Sequence, residues 1–293
     1  MRKFDVESTQ VTMRMAASLA GINADDAQLV RLGENAVFRL AGQAVVARVA
    51  RSAKQRTDVQ RELRLADWLA AHDIPVARPV VPDVVEADGR LVTFWEEIPS
   101  PRASTPKELG AALRRFHALS PSAELGLPRI DPLARVQERI AAARALSTAE
   151  RDALIGYAVV VGQEFAHAVF DLEMSMVHGD GHVDNLVRGS NGRLAFVDLE
   201  ECAYGQPEWD LVLTAIERDC GWVTAEQYEQ FSRAYGYDVT TSPGYEVLRR
   251  VRLLRMTSWL AQKAAESAEV LAEVRHRIRT LQTDQVELSW NAY

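Results

Sequence analysis

Apolar and polar residues alternate with two different periods in this chain, and the change comes after the first third. Ahead of it, short runs with the two-residue period of β-strands occur at Ala27–Leu32, Ala36–Leu40 and Ala44–Val49. The stretch Asp58–Ala71 instead has its apolar residues at helical spacing. We therefore predict a small, mostly antiparallel sheet with one prominent helix for residues 1–98.

After Pro99-Ser100-Pro101 the apolar spacing becomes helical. Ser147 and Glu150 have the spacing of a capping box, in which each side chain accepts a hydrogen bond from the other residue's backbone, and this predicts the start of a helix. We expect residues 99–293 to form a larger helical lobe, so the predicted fold class is α+β with two lobes. The predicted helices are Pro106–Leu119, Asp131–Leu146, a helix from Ser147 to about Phe170, Pro207–Arg218, Thr224–Tyr235 and Tyr245–Leu281.

The last of these helices carries four arginines close together, Arg249, Arg250, Arg252 and Arg255. Charged side chains at such spacing usually mark a helix face that is exposed to water and crossed by ion pairs. We therefore expect these arginines to form a solvated, salt-bridged face.

The composition is that of an ordinary globular protein. The chain has 293 residues, of which 47% are apolar and 26% are charged. Its two cysteines, Cys202 and Cys220, have no metal-ligand spacing, which indicates a reducing compartment rather than a disulfide framework. Residues 1–7 are too polar for a signal peptide, and no apolar stretch reaches the length of a membrane span. We expect a cytoplasmic protein with no membrane partner.

The net charge is −7, which argues against a general nucleic-acid-binding protein. Much of the acidic excess lies in residues 164–229, where there are 14 acidic and 3 basic side chains. Part of it is explained by metal ligands and solvated helix faces. The remainder favours a cationic small molecule as a binding partner.

The most informative polar segment is His178–Asn185, which has the pattern His-x-Asp-x-x-x-x-Asn and is followed by Asp198 at the end of an apolar run. One carboxylate can accept a proton from an attacking hydroxyl, and an amide with a second carboxylate can hold Mg²⁺ against nucleotide phosphates. We predict Asp180 as the base, Asn185 and Asp198 as Mg²⁺ ligands, and His178 as a hydrogen-bonded scaffold residue. The alternative is that these Asp and Asn residues only shape turns.

Two features of the first 98 residues suit nucleotide phosphates. The turn Gly33-Glu34-Asn35 lies between two predicted strands and has the size to cover them, although an ordinary hairpin turn has the same appearance. Arg48 is a lone cation in an apolar run, where it can contact the α- and β-phosphates, and Glu62 on the following helix can hold it in an ion pair. The alternative for this pair is two surface charges.

Two further predictions concern the backbone. After the predicted strand that ends at Trp95, the Glu96 carbonyl and the Ile98 N–H are the natural pair to bind adenine. Asp210 lies in the first turn of a predicted helix, where its carboxylate can brace the loop of Asp180 through backbone N–H groups. A carboxylate that only stabilises its own helix start would occupy the same position.

These residues resemble the aminoglycoside phosphotransferase and choline kinase-like family, whose members share the two-lobed protein-kinase-like fold. The resemblance covers nearly the whole chain and is most specific at His178–Asn185 with Asp198. It implies the same roles for Asp180, Asn185 and Asp198, and it implies a phosphate-binding role for Arg48, where many relatives have Lys. Acceptors in this family include antibiotics, amino sugars, choline, homoserine and other small alcohols, so the resemblance names no substrate.

The sequence therefore predicts an ATP- and Mg²⁺-dependent enzyme, with GTP as an alternative donor, that transfers the γ-phosphoryl group to a hydroxyl of a small, cationic molecule. Its expected partners are a nucleotide and this acceptor. Two alternatives stay open. One is a nucleotide-binding regulator with the same fold and no turnover. The other is a metal-dependent hydrolase in which His178, Asp180 and His182 form a metal cluster.

Overall fold

The computed structural model describes residues 3–33, 35–51, 56–283 and 288–293. The chain divides into two compact units, and neither is one continuous stretch. The division into lobes of residues 1–98 and 99–293 stays a prediction. The first unit consists of Met1–Ser104, Ser122–Gly126 and Val183–Glu201, and the second of Thr105–Pro121, Leu127–His182 and Cys202–Tyr293.

The strands of the described residues form three sheets. The strands are β1 (Ala27–Leu32), β2 (Asn35–Leu40), β3 (Val45–Ala50), β4 (Val85–Ala87), β5 (Arg90–Glu96), β6 (Arg102–Ala103), β7 (Ser175–Val177), β8 (Leu186–Arg188), β9 (Leu194–Phe196) and β10 (Ala203–Gly205). In the first unit, five strands form an antiparallel sheet in the order β1-β2-β3-β5-β4, and a separate small sheet has the order β6-β8-β9. In the second unit, β7 pairs with β10.

Helix α1 (Val6–Leu19) supplies one side of the first unit's core. Its buried residues Met13 and Ala17 belong to the same apolar cluster as Ala47 and Val49 of β3. Because successive side chains of a strand point to opposite faces of the sheet, Arg48 between them points away from this cluster. The alternation thus places one cation on the face opposite α1.

The helices after α1 begin with α2 (Arg56–Ala71), which belongs to the first unit. Those of the second unit are α3 (Pro106–His117), α4 (Val136–Ala142), α5 (Thr148–Ala166), α6 (Glu208–Asp219), α7 (Ala225–Tyr235), α8 (Tyr245–Ala261) and α9 (Ala268–Thr283). Helix α8 is the central one, since α4, α5, α6 and α9 all contact it. The predicted capping box is present at the start of α5, where Ser147 Oγ accepts from the Glu150 N–H at 3.2 Å and Glu150 accepts from the Ser147 N–H at 2.7 Å.

Two predicted helices are wrong in extent. The helix expected over Asp131–Leu146 is only α4, because Asp131 accepts a hydrogen bond from the Leu133 N–H and Arg135 has a left-handed backbone with φ of 63°, neither of which continues a helix. The single helix expected over Tyr245–Leu281 is broken into α8 and α9. Ser267 makes the break understandable, since its side chain accepts from the Val270 N–H at 3.1 Å as a helix-starting residue does.

The predicted arginine face forms salt bridges, since Arg249 pairs with Asp219 at 3.1 Å and the half-buried Arg250 pairs with Glu164. Its predicted exposure to solvent is wrong for three of the four arginines. Arg249, Arg252 and Arg255 are buried, with exposed fractions of 6%, 3% and 8%. Helix α8 is packed by neighbouring helices around most of its circumference, so it has little solvent face to offer. Each buried guanidinium therefore contacts polar or aromatic groups of the second unit, as a buried charge must.

In the described parts of the chain, no helix combines the length and the apolar character that a membrane span requires.

Candidate active site

Arg48 joins two acidic side chains of the first unit. Its Nη1 donates a hydrogen bond to Glu62 Oε1 at 2.8 Å, and its Nη2 donates to Asp198 Oδ1 at 3.4 Å. The side chains of Arg48 and Glu62 are 18% and 8% exposed, whereas that of Asp198 is 47% exposed. Three predicted site residues from distant parts of the sequence thus lie together, and the forked guanidinium contacts both acids at once.

The two acids also fix the charge of Arg48. Burial on its own lowers the pKa of the guanidinium, but the nearby carboxylates of Glu62 and Asp198 outweigh burial and raise the pKa above its ordinary value. Arginine is always protonated in proteins, and these surroundings favour the cation further. The first unit therefore holds a permanent positive charge next to an accessible carboxylate.

Asn185 and Asp198 lie at the two ends of the β8–β9 hairpin. Asn185 ends a short 3₁₀ turn, Val183–Asn185, and its carbonyl accepts a hydrogen bond from the Val197 N–H at 3.0 Å. Asp198 follows β9 with φ of 58°, in the left-handed region that residues other than glycine rarely occupy. Such backbone strain costs about 1–3 kcal/mol and concentrates at functional sites.

The donors of these two residues suit Mg²⁺. An amide oxygen and a carboxylate are hard oxygen ligands, and Mg²⁺ usually keeps several waters and takes only one or two carboxylates from the protein. The chemistry of Asn185 and Asp198 therefore fits the predicted ion. Within the described residues, no group of three or more His, Cys, Asp and Glu side chains is arranged to hold a metal ion. That finding disfavours the cluster of His178, Asp180 and His182 that a metal-dependent hydrolase would require.

The predicted phosphate-covering turn joins β1 to β2. The Gly33 N–H donates to the Asn35 carbonyl at 3.0 Å and closes the turn, and Asn35 is the first residue of β2. Glu34 lies outside the described residues. The Gly33–Asn35 hydrogen bond thus joins the end of β1 to the start of β2.

The backbone groups predicted to bind adenine lie where β5 ends. Glu96 is the last residue of β5, and its N–H donates to the Arg78 carbonyl at 2.8 Å. The next N–H, of Glu97, donates to the Ala44 carbonyl at 2.8 Å. These bonds fix the direction in which the chain leaves the sheet towards Ile98.

Asp180 lies in the second unit, in the loop that follows β7. Its Oδ2 is 3.5 Å from Nε2 of His182, and the backbone N–H of His182 donates to the Asp180 carbonyl at 3.1 Å. The Asp180 side chain is 47% exposed, so a ligand can reach it. Burial alone raises its pKa, but the hydrogen bond and charge of His182, together with Arg252 and His178, outweigh burial and hold the pKa well below its usual range. Asp180 is therefore an ionised, accessible hydrogen-bond acceptor.

Asp210 accepts three hydrogen bonds inside the second unit. Its Oδ2 receives the His178 N–H at 2.7 Å and Nε2 of His117 at 2.9 Å, and its Oδ1 receives the Gly179 N–H at 2.9 Å. Burial raises the pKa of Asp210, but the hydrogen bond and charge of His117 outweigh it and lower the pKa. The buried carboxylate thereby holds the two residues that precede Asp180.

The Gly179 carbonyl is held as well. It accepts hydrogen bonds from Trp209 Nε1 at 3.0 Å and from a guanidinium nitrogen of Arg252 at 2.9 Å. The ring of His178, which is fully buried, lies 6.1 Å from that of Phe116. The structure thus places His178 in the scaffold of the loop and away from solvent.

Four residues around this loop were missed from the sequence: His117, Trp209, Arg252 and Tyr235, whose hydroxyl lies 3.0 Å from His117 Nδ1. His117 and Asp210 are 93 positions apart, and no local pattern connects them. A signal for Arg252 did exist. It lies in a helix with apolar residues on every side, and an arginine in such a helix needs buried partners.

The predicted residues fall into two groups by compact unit. The first unit holds Gly33, Asn35, Arg48, Glu62, Glu96, Ile98, Asn185 and Asp198, and the second holds His178, Asp180 and Asp210. The division between units falls inside the motif, after His182.

A comparison with models of known protein families identifies the chain. Residues 27–254, well over half of it, match the model described as the phosphotransferase enzyme family. The chain belongs to this family. The resemblance inferred from the motif is therefore confirmed, and every residue of both groups lies within the matched range. No curated protein sequence matches the chain.

Several solved structures similar to this family member are named as small-molecule kinases or phosphotransferases. An amicoumacin kinase in complex with AMP-PNP, Ca²⁺ and Ami has a TM-score of 0.73 at 14% identity, with 97% of each chain covered. A microcompartment-associated aminopropanol kinase has a TM-score of 0.70 at 17% identity, with 96% of this chain and 100% of the other covered. The GDP complex of wild-type aminoglycoside 2'-phosphotransferase-IIIa has a TM-score of 0.64 at 16% identity, covering 96% and 99%.

At such low identities these similarities show the fold alone. The predicted α+β, kinase-like fold class is confirmed: an antiparallel amino-terminal sheet with one following helix, α2, and a helical carboxyl-terminal part.

Proposed function

We propose that this phosphotransferase moves the γ-phosphoryl group of ATP, with Mg²⁺, to a hydroxyl of a small amine-bearing molecule. The observation that carries the proposal is the contact of Arg48 with both Glu62 and Asp198 in a member of the phosphotransferase family. A fixed cation beside an accessible carboxylate is what nucleotide phosphates and their metal ion require.

The donor nucleotide is assigned to the first unit. Arg48 binds the α- and β-phosphates while Glu62 holds its guanidinium, and the backbone of the turn at Gly33 covers the phosphates. Asn185 and Asp198 are the residues that would hold Mg²⁺. When bound, the ion neutralises charge on the phosphates. The Glu96 carbonyl and the Ile98 N–H bind the base, and GTP remains an alternative donor, in keeping with a relative solved with GDP.

The reaction is a substitution at the γ-phosphorus. The acceptor oxygen forms a bond to phosphorus, the bond to the bridging oxygen of the β-phosphate breaks, and ADP leaves. The hydroxyl proton passes to the Asp180 carboxylate. A loose phosphoryl-transfer transition state needs little proton removal, so an Asp with a low pKa serves mainly to orient the hydroxyl by accepting its hydrogen bond.

The distribution of charge supports the proposed acceptor class. Residues 164–229 contain 14 acidic and 3 basic side chains, an excess that attracts cations. Two of the structural relatives are named for amine-bearing alcohols, aminopropanol and aminoglycosides. Both points support an amino alcohol or amino sugar over a neutral or anionic acceptor.

The proposal is tested by measuring Mg²⁺-dependent nucleotide consumption with a panel of acceptors. The panel should hold aminoglycosides, amino sugars, aminopropanol and choline, with neutral sugars and hydroxy acids as controls. We expect turnover with an amine-bearing member and none when EDTA removes Mg²⁺. Mg·ATP binding without turnover for any acceptor would instead favour a nucleotide-binding regulator.

A further inference from the structure

Arg252 is a buried cation directed at the backbone next to Asp180. It lies on α8, is 3% exposed, and its Nη2 donates to the Gly179 carbonyl at 2.9 Å. The guanidinium carbon lies 4.5 Å from the centre of the Trp209 ring, close enough for a cation–π interaction. All of these groups belong to the second unit.

The Gly179 carbonyl is part of the peptide plane that also contains the backbone nitrogen of Asp180. Its orientation therefore positions the nitrogen and Cα of Asp180, from which the side chain departs. Gly179 has φ of 86°, and glycine is the residue with the widest choice of backbone conformation. A loop with glycine at this position needs external contacts to hold one conformation, and Arg252 and Trp209 supply them from the carbonyl side.

We propose that Arg252 is a positioning residue for phosphoryl transfer, which holds the Gly179 carbonyl and thereby the orientation of Asp180. The proposal rests on the proposed function of Asp180. Asp210 accepts from the Gly179 N–H and Arg252 donates to the Gly179 carbonyl, so the peptide groups on both sides of this glycine are held. Burial raises the pKa of Asp180, and His182 has the largest opposing effect. The positive charge of Arg252 adds to that lowering of the pKa.

Arg255 is a matched control on the same helix. It is also buried, at 8% exposure, and its guanidinium carbon lies 5.5 Å from the same Trp209 ring. Its Nη1, however, donates to the carbonyls of Asp131 and Ala134, at 3.5 and 3.4 Å, and these groups are remote in sequence from Asp180. Substituting either arginine removes a buried cation from Trp209, whereas substituting Arg252 also removes the hydrogen bond to the Gly179 carbonyl.

The first measurement compares Arg252→Met, Arg252→Lys and Arg255→Met in kcat and in KM for Mg·ATP. We expect Arg252→Met to lower kcat by about 10–100-fold, the loss caused by misplacing a catalytic group, with KM for Mg·ATP little changed. Arg252→Lys, which keeps a donor, should recover part of the loss. Arg255→Met should keep kcat within about twofold of wild type, even if its Tm falls as much as that of Arg252→Met.

The second measurement needs no turnover. Backbone hydrogen exchange should accelerate at residues 178–182 in Arg252→Met, and at residues 131–136 in Arg255→Met. Wild-type protein inactive with every acceptor would refute the proposed function, while the exchange pattern would still test the contact to Gly179. Equal kcat losses in the two Met variants, or unchanged exchange at 178–182 in Arg252→Met, would overturn the role of Arg252.

Discussion

Glu208 and Asp210 lie two residues apart in the first turn of α6 and are both fully buried, yet their pKa values are shifted in opposite directions. Burial raises both. For Asp210, the hydrogen bond and charge of His117 outweigh burial, and both carboxylate oxygens accept hydrogen bonds. For Glu208, Oε1 accepts the N–H groups of Asp171 and Leu172, but Oε2 is buried with no hydrogen-bond partner among the described residues. Ionisation of Asp210 therefore stabilises the fold, whereas ionisation of Glu208 destabilises it.

Asp210→Asn should destabilise the fold. Asparagine has one acceptor oxygen in place of two, so at least one donor loses its partner, and we expect the free energy of unfolding at pH 7 to fall by about 1–3 kcal/mol. Because the folded-state pKa of Asp210 is lowered, its stabilisation is present above the unfolded pKa of about 3.9 and is lost as pH falls further. Urea unfolding of wild type and Asp210→Asn between pH 7 and pH 3 measures this. The difference between their free energies of unfolding should narrow below about pH 4. A difference that stays constant with pH would contradict this account.

Glu208→Gln should change the free energy of unfolding in the opposite direction. Glutamine keeps an acceptor for the Asp171 and Leu172 N–H groups and removes a charge that is buried. Because the folded-state pKa of Glu208 is raised, its stabilisation is present below the unfolded pKa of about 4.3 and is lost as pH rises through the folded pKa. We expect the variant to be at least as stable as wild type at pH 8, with its advantage shrinking towards pH 4. Lower stability at pH 8 would show that the ionised carboxylate is needed.

Two helical glycines allow a matched test of packing. A Cβ on Gly110 of α3 would lie 2.4 Å from the Phe231 carbonyl oxygen of α7, whereas a Cβ on Gly156 of α5 would meet no atom within 4 Å. Gly110→Ala should therefore lower the free energy of unfolding by about 1–3 kcal/mol, the usual cost of overpacking. Gly156→Ala should raise it by about 0.5–1 kcal/mol, since alanine favours a helix. Thermal unfolding of both variants measures the difference, and stabilisation by Gly110→Ala would refute the close packing of α3 on α7.

The proposed role of Arg48 in nucleotide binding should depend on the shape of its side chain as well as on its charge. A lysine ammonium cannot reproduce the fork that contacts Glu62 and Asp198 together, and methionine removes the cation altogether. We expect kcat/KM for Mg·ATP to fall by about 10–100-fold in Arg48→Met and by less than about tenfold in Arg48→Lys. Steady-state kinetics with saturating acceptor measures this. An unchanged KM for Mg·ATP in Arg48→Met would remove the residue from the nucleotide site.

Much of the fold was predictable because its signals are local. The strands β1 to β3, helix α2 and the start of α5 follow from residue periodicity and from one capping box. The two-residue strand β6 and the three-residue strand β10 are too short to show a period, and they form only because a distant strand pairs with them. Such pairing is a tertiary effect that overrides local preference.

The candidate site was predictable to the extent that its residues lie in one motif or follow an apolar run. Asp180, Asn185 and Asp198 are close in sequence, and Arg48 follows from strand alternation. The contacts of Asp210 with His117 and of Gly179 with Arg252 join residues 93 and 73 positions apart. The arginines of α8 were misjudged because charge was taken to indicate solvent, when the surrounding helices leave α8 little solvent face.

The most direct test of the account is Asp180→Asn with the acceptor that the panel identifies. Asparagine keeps the size of the side chain but loses the carboxylate that orients the hydroxyl and takes its proton. We predict that kcat falls by about 10²–10⁴-fold, the range for a positioned general base, while the calorimetric Kd for Mg·ATP stays within about twofold. Wild-type turnover in Asp180→Asn would contradict the central claim.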